Sequence, residues 1–294
     1  MNALWAALRH EWRLLLVAVQ FLTRIPVNAR ALGGAWDPAW LQACLRHFPW
    51  VGAIVGTWAA AVTWLAAQWW PPAVAVLLGM AATVWLTGGF HEDGWADTCD
   101  GLGGAVDRQK ALTIMKDSRL GTYGALGLIL LLATKAAILI EMASPRITEL
   151  NPSSEIQRVL LLWTGVGLVW CHAASRAVPV WLTGMLPYAG DEAHAKAKPL
   201  ALQVSRMQVV LTLLSVLGVA LIIWAVFRWS GWPLGTLGQA MGRSAVVMAL
   251  VAWVCGRWFR RRLGGFTGDT LGASQQLAEV AGLLAWLSVI HPVG

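Results

Sequence analysis

Seven stretches of this chain, residues 48–67, 72–90, 121–141, 159–186, 208–228, 241–258 and 275–291, are apolar and about long enough to cross a bilayer. A helix needs about 20 such residues to span the hydrocarbon core, and only helices or closed barrels satisfy their backbone there. The composition agrees: 57% of the 294 residues are hydrophobic and 13% are charged, against about 25% charged in soluble domains. The sequence predicts an all-α polytopic membrane bundle of about seven spanning helices. It reads as one integral domain over 1–294, without internal repeats or linkers. Residues 1–30 form an amphipathic addition. Trp5, Leu8, Trp12, Leu15, Leu16 and Val19 keep a helical stripe, while Arg9, Glu11 and Arg13 face away. Its apolar core, Leu14–Leu22, is too short to span, so an interfacial or re-entrant helix ending at Ile25-Pro26 is expected.

The net charge of +7 does not point to nucleic acid, because the basic residues are spread over separate connections and form no patch. They do point to an orientation. With 91–120 placed inside, the inner segments (1–47, 91–120, 187–207, 257–274) hold sixteen Lys and Arg and the outer ones hold three. Lys135, Arg176 and Arg243 lie within spans. By the positive-inside bias the 91–124 stretch faces the cytoplasm, with 187–207 and Arg260-Arg261-Arg262. Many of the twenty tryptophans sit near span ends, among them Trp50, Trp69, Trp70, Trp181, Trp229, Trp232 and Trp258, as interfacial belts require. The four cysteines are far apart and form no CxxC, which predicts neither disulfides nor a zinc or iron–sulfur site. The first residues lack the apolar length and small-residue cleavage site of a removable signal, so they read as retained.

The stretch His91–Gly124 contains six of the fifteen carboxylates: Glu92, Asp93, Asp97, Asp100, Asp107 and Asp117. Crowded carboxylates repel unless a cation separates them. If residues 91–100 are helical, Asp93, Asp97 and Asp100 share one face at i, i+4 and i+7. Hard oxygen ligands on one stripe suit Mg²⁺, with phosphate oxygens completing its shell. Glu92 sits about 100° round the helix from Asp93, which suits a supporting or capping role. His91 reads as a neutral hydrogen-bonding residue. The bland alternative, a solvated helix face, is weakened because this helix flanks the membrane, where acids are usually functional.

Downstream, Lys116, Asp117, Ser118, Arg119, Gly121, Thr122 and Gly124 combine cations, hydroxyls and glycines at the mouth of a span. Amides at a helix N-terminus with Lys and Arg nearby suit phosphate; plain turn-making explains the glycines equally well. Ser175-Arg176 lies inside an apolar span, where an arginine must pair, face a cavity or snorkel to the interface. Residues 264–272 form a second glycine-rich connection, with Thr267, Gly268 and Asp269 entering the last span. Lys135 is expected to pair with a carboxylate or reach toward the phosphate site. The residues alone therefore describe a membrane enzyme that uses Mg²⁺ to transfer a phosphate-bearing group, with no Walker A loop or Ser/His/Asp arrangement competing.

The segments GGFHEDGWADTCDGLGG, DRQKALTIMKDSRLGTYGALGL and GGFTGDTLGA closely resemble the cobalamin synthase family, the adenosylcobinamide-GDP ribazoletransferases; FLTRIPV at 21–27 and Ser175-Arg176 also fit. Residues 142–158 and 187–240 carry no match to it. The resemblance implies transfer of adenosylcobinamide phosphate from adenosylcobinamide-GDP to α-ribazole or α-ribazole 5′-phosphate, with GMP leaving. It also implies the bacterial inner membrane, and other late enzymes of cobalamin synthesis as partners. On this reading Asp93, Asp97, Asp100 and Glu92 hold Mg²⁺. Lys116, Arg119 and Arg108 balance the leaving group, with Ser118, Gly121, Thr122, Gly124, Ser175, Arg176, Thr267 and Gly268 around the phosphates. Asp117 or Asp269 takes the acceptor's proton.

Three rivals remain at this level. A CDP-alcohol phosphotransferase expects D-G-x-x-A-R, and Asp93-Gly94-Trp95-Ala96 begins that way before Asp97 replaces the Arg. A membrane prenyltransferase needs a second Asp-rich helix, for which Asp269 alone is a poor substitute. An ion-coupled transporter expects acids inside its spans and inverted repeats.

Overall fold

The structure, a computed structural model, describes residues 2–33, 37–104, 107–145, 154–190 and 204–291. Residues 146–153 of the 142–158 connection and 191–203 of the 187–207 connection fall outside these residues. Among those described, the chain is helical: α1 (Asn2–Leu22), the short α2 (Ala39–Ala43), α3 (Phe48–Ala66), α4 (Pro72–Thr87), α5 (Phe90–Gly104) and α6 (Arg108–Met115). They are followed by α7 (Thr122–Ala143), α8 (Ser154–Ser175), α9 (Ala177–Met185), α10 (Arg206–Trp229), α11 (Leu234–Leu263) and α12 (Gly268–Ile290). Six helical units among the described residues are long and apolar enough to cross a membrane, or seven if the bent pair α4 and α5 counts as one span.

That bent pair corrects the expected second span. The α4 helix has 16 residues, about 24 Å of helix, and stops where the sequence reads Gly88-Gly89. Both glycines are left-handed, at φ 73° and 70°, a conformation that costs other residues a Cβ clash. The chain turns 88° and starts α5. The 91–124 stretch, expected as a catalytic loop, is therefore largely helical, carried by α5 and α6 on either side of a short connection. The span expected at 159–186 is present as one unit, Glu155–Met185, with a one-residue interruption of its helix. Pro179 lacks an amide and its ring crowds the Ser175 carbonyl four residues back, which separates α8 from α9 at Arg176.

Helix α12 is the centre of the bundle. It begins at Gly268, seven residues before the expected span, because Thr267 caps it: the Thr267 hydroxyl accepts from Thr270 N at 3.2 Å and the Thr270 hydroxyl from Thr267 N at 2.8 Å. It packs against α5, α7, α8 and α11. Elsewhere small residues let helices approach: the Gly52-x-x-x-Gly56 face of α3 lies directly on the main chain of α8 at Leu168 and His172, a membrane packing device. By contrast α10, with mean hydropathy 2.8 over its best window, is only 22% buried there. Its outward Leu213, Leu214, Leu217, Leu221 and Ile222 are tolerable only in lipid.

The N-terminal helix divides its expected stripe. Trp5, Leu8 and Trp12 remain uncovered, whereas Leu14, Val17, Ala18, Val19 and Leu22 are buried with Cys44, Leu45, Phe48, Val51 and Val55. Glu11, read as facing away, pairs with Arg46 (3.0 Å) and His47 (2.9 Å), and Arg13 stacks over Trp40. The helix is thereby tied to the start of α3, and its exit reaches the α4–α5 elbow, where Arg24 N donates to Leu86 O at 2.7 Å.

Candidate active site

The elbow opens into a cavity of about 560 Å³ lined by Arg24, Thr87, Gly88, Gly89, Phe90, Glu92, Asp93, Ala96, Asp97, Ser118, Leu120 and Leu128. One wall is the first two turns of α5, which present Glu92, Asp93 and Asp97. The chain after α1 contributes Arg24, and the 118–120 connection contributes Ser118 and Leu120. A larger hollow of about 700 Å³ between α11 and α12 is lined by Gly238, Gly242, Val246 and Leu284 and carries no carboxylate, so the chemistry favours the elbow.

The three acids differ in their anchoring. Asp93 is exposed to the cavity, one turn below Asp97. Glu92, read from sequence as pointing elsewhere, lines the same cavity: its Oε1 accepts from Gln276 of α12 at 3.1 Å, while Oε2 is buried without a hydrogen bond. A buried, unsatisfied carboxylate oxygen is costly, and a cation would relieve it. No three His, Cys, Asp or Glu side chains among the described residues form a closed metal cage. That donor set nevertheless fits Mg²⁺, which usually takes one or two carboxylates and leaves the rest of its octahedron to water and phosphate.

Asp100 does not join this wall. Its Oδ2 accepts from Gly121 N and its Oδ1 from Gly124 N, each at 2.8 Å, so both oxygens hold the N-terminus of α7 against α5. Arg108 is similarly engaged, donating to Leu263 O (2.6 Å) and Ala189 O (2.8 Å). It clasps two connections that also pair with each other, Ala189 N to Phe266 O at 2.8 Å and Phe266 N to Pro187 O at 2.9 Å. Arg119 forms a forked pair with Asp117, Nε–Oδ1 at 3.0 Å and Nη2–Oδ2 at 2.6 Å. That guanidinium holds the Asp117 carboxyl down at about 2. Lys116 and Thr122 are exposed outside the cavity lining, and of that run Ser118 reaches the rim. The Asp269 backbone rests against Gly94 of α5, but its side chain is not part of the cavity wall, nor are Thr267 and Gly268.

Ser175 and Arg176 lie deeper, 0% and 2% exposed. They belong to a buried polar network centred on Glu279 of α12. Lys135 of α7 pairs with one Glu279 oxygen; His172 (2.8 Å) and Gln275 (2.7 Å) reach the other, with Arg176 at 3.9 Å. Gln275 also donates to Ser175 at 3.0 Å, and Arg176 to His172 O at 2.8 Å. The expected carboxylate partner of Lys135 is thus Glu279.

Sequence reasoning gave no role to Arg24, which the structure brings to the cavity. Its signal was present, an arginine just past the end of an amphipathic helix, but nothing local links it to residues 88–97.

Together, lipid-facing helices around one acid-walled polar cavity define a multi-pass membrane protein whose site is suited to a cation and an anionic group. The chain belongs to the cobalamin-5-phosphate synthase family, whose profile matches residues 14–287. A Leptothrix cholodnii protein named adenosylcobinamide-GDP ribazoletransferase is 53% identical over 96% of this chain and 98% of its own length. Proteins of the same name from Polaromonas sp. (42%, over 90% of this chain and 93% of theirs) and Ralstonia pickettii (39%, over 96% and 99%) are also similar. No solved structure matches the chain significantly.

Proposed function

We propose that this chain transfers adenosylcobinamide phosphate from adenosylcobinamide-GDP to the 5′-hydroxyl of α-ribazole, or of its 5′-phosphate, the joining step of the nucleotide loop. The observation that carries this reading is the near full-length similarity to relatives that bear that activity's name. The acid-walled cavity supplies a place for it. The acceptor oxygen bonds to the phosphorus next to the aminopropanol arm as the bond to the GMP oxygen breaks. The acceptor's proton passes to a carboxylate, and GMP departs. Asp93 and Asp97, supported by Glu92, would hold Mg²⁺, which supplies charge neutralisation at the diphosphate. Of the two acids that the sequence offers for the proton, Asp117 and Asp269, Asp117 is held down at about 2 by Arg119, and a weaker base takes a proton less readily. The bundle sits in the bacterial inner membrane with the cavity on the cytoplasmic side. The sixteen-to-three bias of basic residues supports this orientation, as does the meeting of the 187–189 and 263–266 connections at Arg108.

The test is label transfer from a radiolabelled GDP-corrinoid to α-ribazole by the purified protein. Asp93→Asn and Asp97→Asn should each lower kcat by about 100-fold, as loss of transition-state charge stabilisation does, with folding intact. Chelation by EDTA should abolish turnover and Mg²⁺ restore it. Wild-type rates in these variants, or full turnover without a divalent cation, would remove the metal site.

A further inference from the structure

Three carboxylates of α5 line the elbow; they would hold a dication, which would neutralise part of the charge on a diphosphate bound there, while the remaining phosphate oxygens call for protein donors. Among the described residues lining the cavity, the one lysine or arginine is Arg24. The other arginines that sequence placed near phosphate are committed: Arg108 to two backbone carbonyls, Arg119 to Asp117, and Arg176 to the buried network.

Arg24 is positioned from both sides. The hydroxyl of Thr23 donates to Val19 O at 2.7 Å and accepts from Ile25 N at 3.2 Å, which fixes the turn leaving α1. The amide of Arg24 itself is bonded to the last turn of α4 through Leu86 O. Its guanidinium lies over Gly88, where any added Cβ would run into Nε, Cζ and Nη2. Gly88 is favoured by its positive φ, and a larger residue there would also displace the guanidinium. The side chain is exposed to the cavity, and among the described residues it forms no ion pair with Glu92, Asp93 or Asp97. A guanidinium held beside a carboxylate wall, yet not neutralised by it, is available to an incoming anion. Its planar fork matches two phosphate oxygens at once, which an ammonium cannot do.

We infer that Arg24 is the phosphate-clamping residue of this site, binding the diphosphate of a nucleoside-diphosphate-linked substrate in the cavity that the α5 carboxylates also line. The helix α1 then serves catalysis as well as packing, since it delivers this residue to the elbow. The inference deepens the activity proposed above and rests on it.

Arg24→Ala and Arg24→Lys, in the full-length protein in nanodiscs, test it with two readouts. In initial-rate kinetics Arg24→Ala should raise KM for the GDP-corrinoid about 10- to 100-fold, the span expected for lost hydrogen bonds to a charged group. KM for α-ribazole should stay within about twofold and the melting temperature unchanged, while Arg24→Lys recovers part of the loss. In the second readout, tryptophan fluorescence follows binding of inorganic pyrophosphate with Mg²⁺, which wild type should bind and Arg24→Ala should not. Equal KM effects on both substrates, or unaltered pyrophosphate binding, overturn the clamp. If Arg24→Ala does not fold, Arg24→Lys decides: wild-type KM and pyrophosphate affinity in that variant also overturn it. Wild type that binds pyrophosphate but transfers nothing from a GDP-corrinoid refutes the proposed activity, and leaves the clamp to be judged on binding alone.

Discussion

Asp117 and Arg119 are two residues apart and grip each other through a fork, with Arg119 largely in solvent. The pairing holds the Asp117 carboxyl at about 2, below its ordinary 3.8. A lowered folded value means that whatever the pair adds to stability is complete above the ordinary value and lost as pH falls through about 2. Throughout the working range Asp117 is therefore a fixed anion. Asp117→Asn should leave the acid limb of the kcat–pH profile, recorded between about pH 5 and 9, where wild type has it, because that limb reports the essential base. A limb that moves in this variant would make Asp117 the base after all. Asp100 shows what spacing can and cannot tell. Its i+7 position correctly places it near the Asp93 and Asp97 face, but whether its oxygens meet a metal or the Gly121 and Gly124 amides depends on where α7 docks. Arg24 was illegible for the same reason, since its partners lie 62 or more positions away along the chain.

Among the elements, α12 has the most demanding surroundings. Most membrane helices show lipid a side; this one buries Ser274, Gln275, Gln276 and Glu279 among α5, α7, α8, α9 and α11. Glu279 anchors Lys135 of α7 and His172 of α8, and so ties three helices together below the cavity. Glu279→Gln should destabilise the protein by about 3–5 kcal/mol, because the lysine is left as an uncompensated buried charge. Adding Lys135→Met to it should return much of that loss in a denaturant titration of the detergent-solubilised protein. If the double variant is no more stable than Glu279→Gln alone, the pair is not the source of the effect. Hydropathy made the helices legible, since lipid demands apolar length and little else. It could not show the elbow. An apolar count over 72–90 runs through Gly88-Gly89 without registering that two left-handed residues redirect the chain, which turns an expected span and loop into α4 and α5. The break at Arg176 was easier to foresee, because Pro179 marks it.

For the molecule as a whole, the cytoplasmic sidedness proposed for the cavity rests on the distribution of charge. The connection at 116–121 and those holding Pro187–Ala189 and Leu263–Phe266 all border α6 or its neighbours. Each belongs to a segment rich in lysine and arginine, the type retained on the inner side of the membrane. Among the described residues the outer faces of α10, α4 and α7 are apolar, and a substrate bearing a diphosphate cannot cross hydrocarbon unaided. On the proposed orientation, access is from the cytoplasmic side. In sealed vesicles turned inside out, added GDP-corrinoid and α-ribazole should be joined at the full rate. Sealed right-side-out vesicles should be at least about tenfold slower until a mild detergent opens them, since the barrier is to the charged substrate. Measuring the same preparations with EDTA added outside extends the test to the cation: turnover should stop at once in inverted vesicles and, in right-side-out ones, only after opening. Equal rates in both sealed orientations would mean an acid wall open to both faces, and faster turnover in right-side-out vesicles would place it on the other face of the membrane.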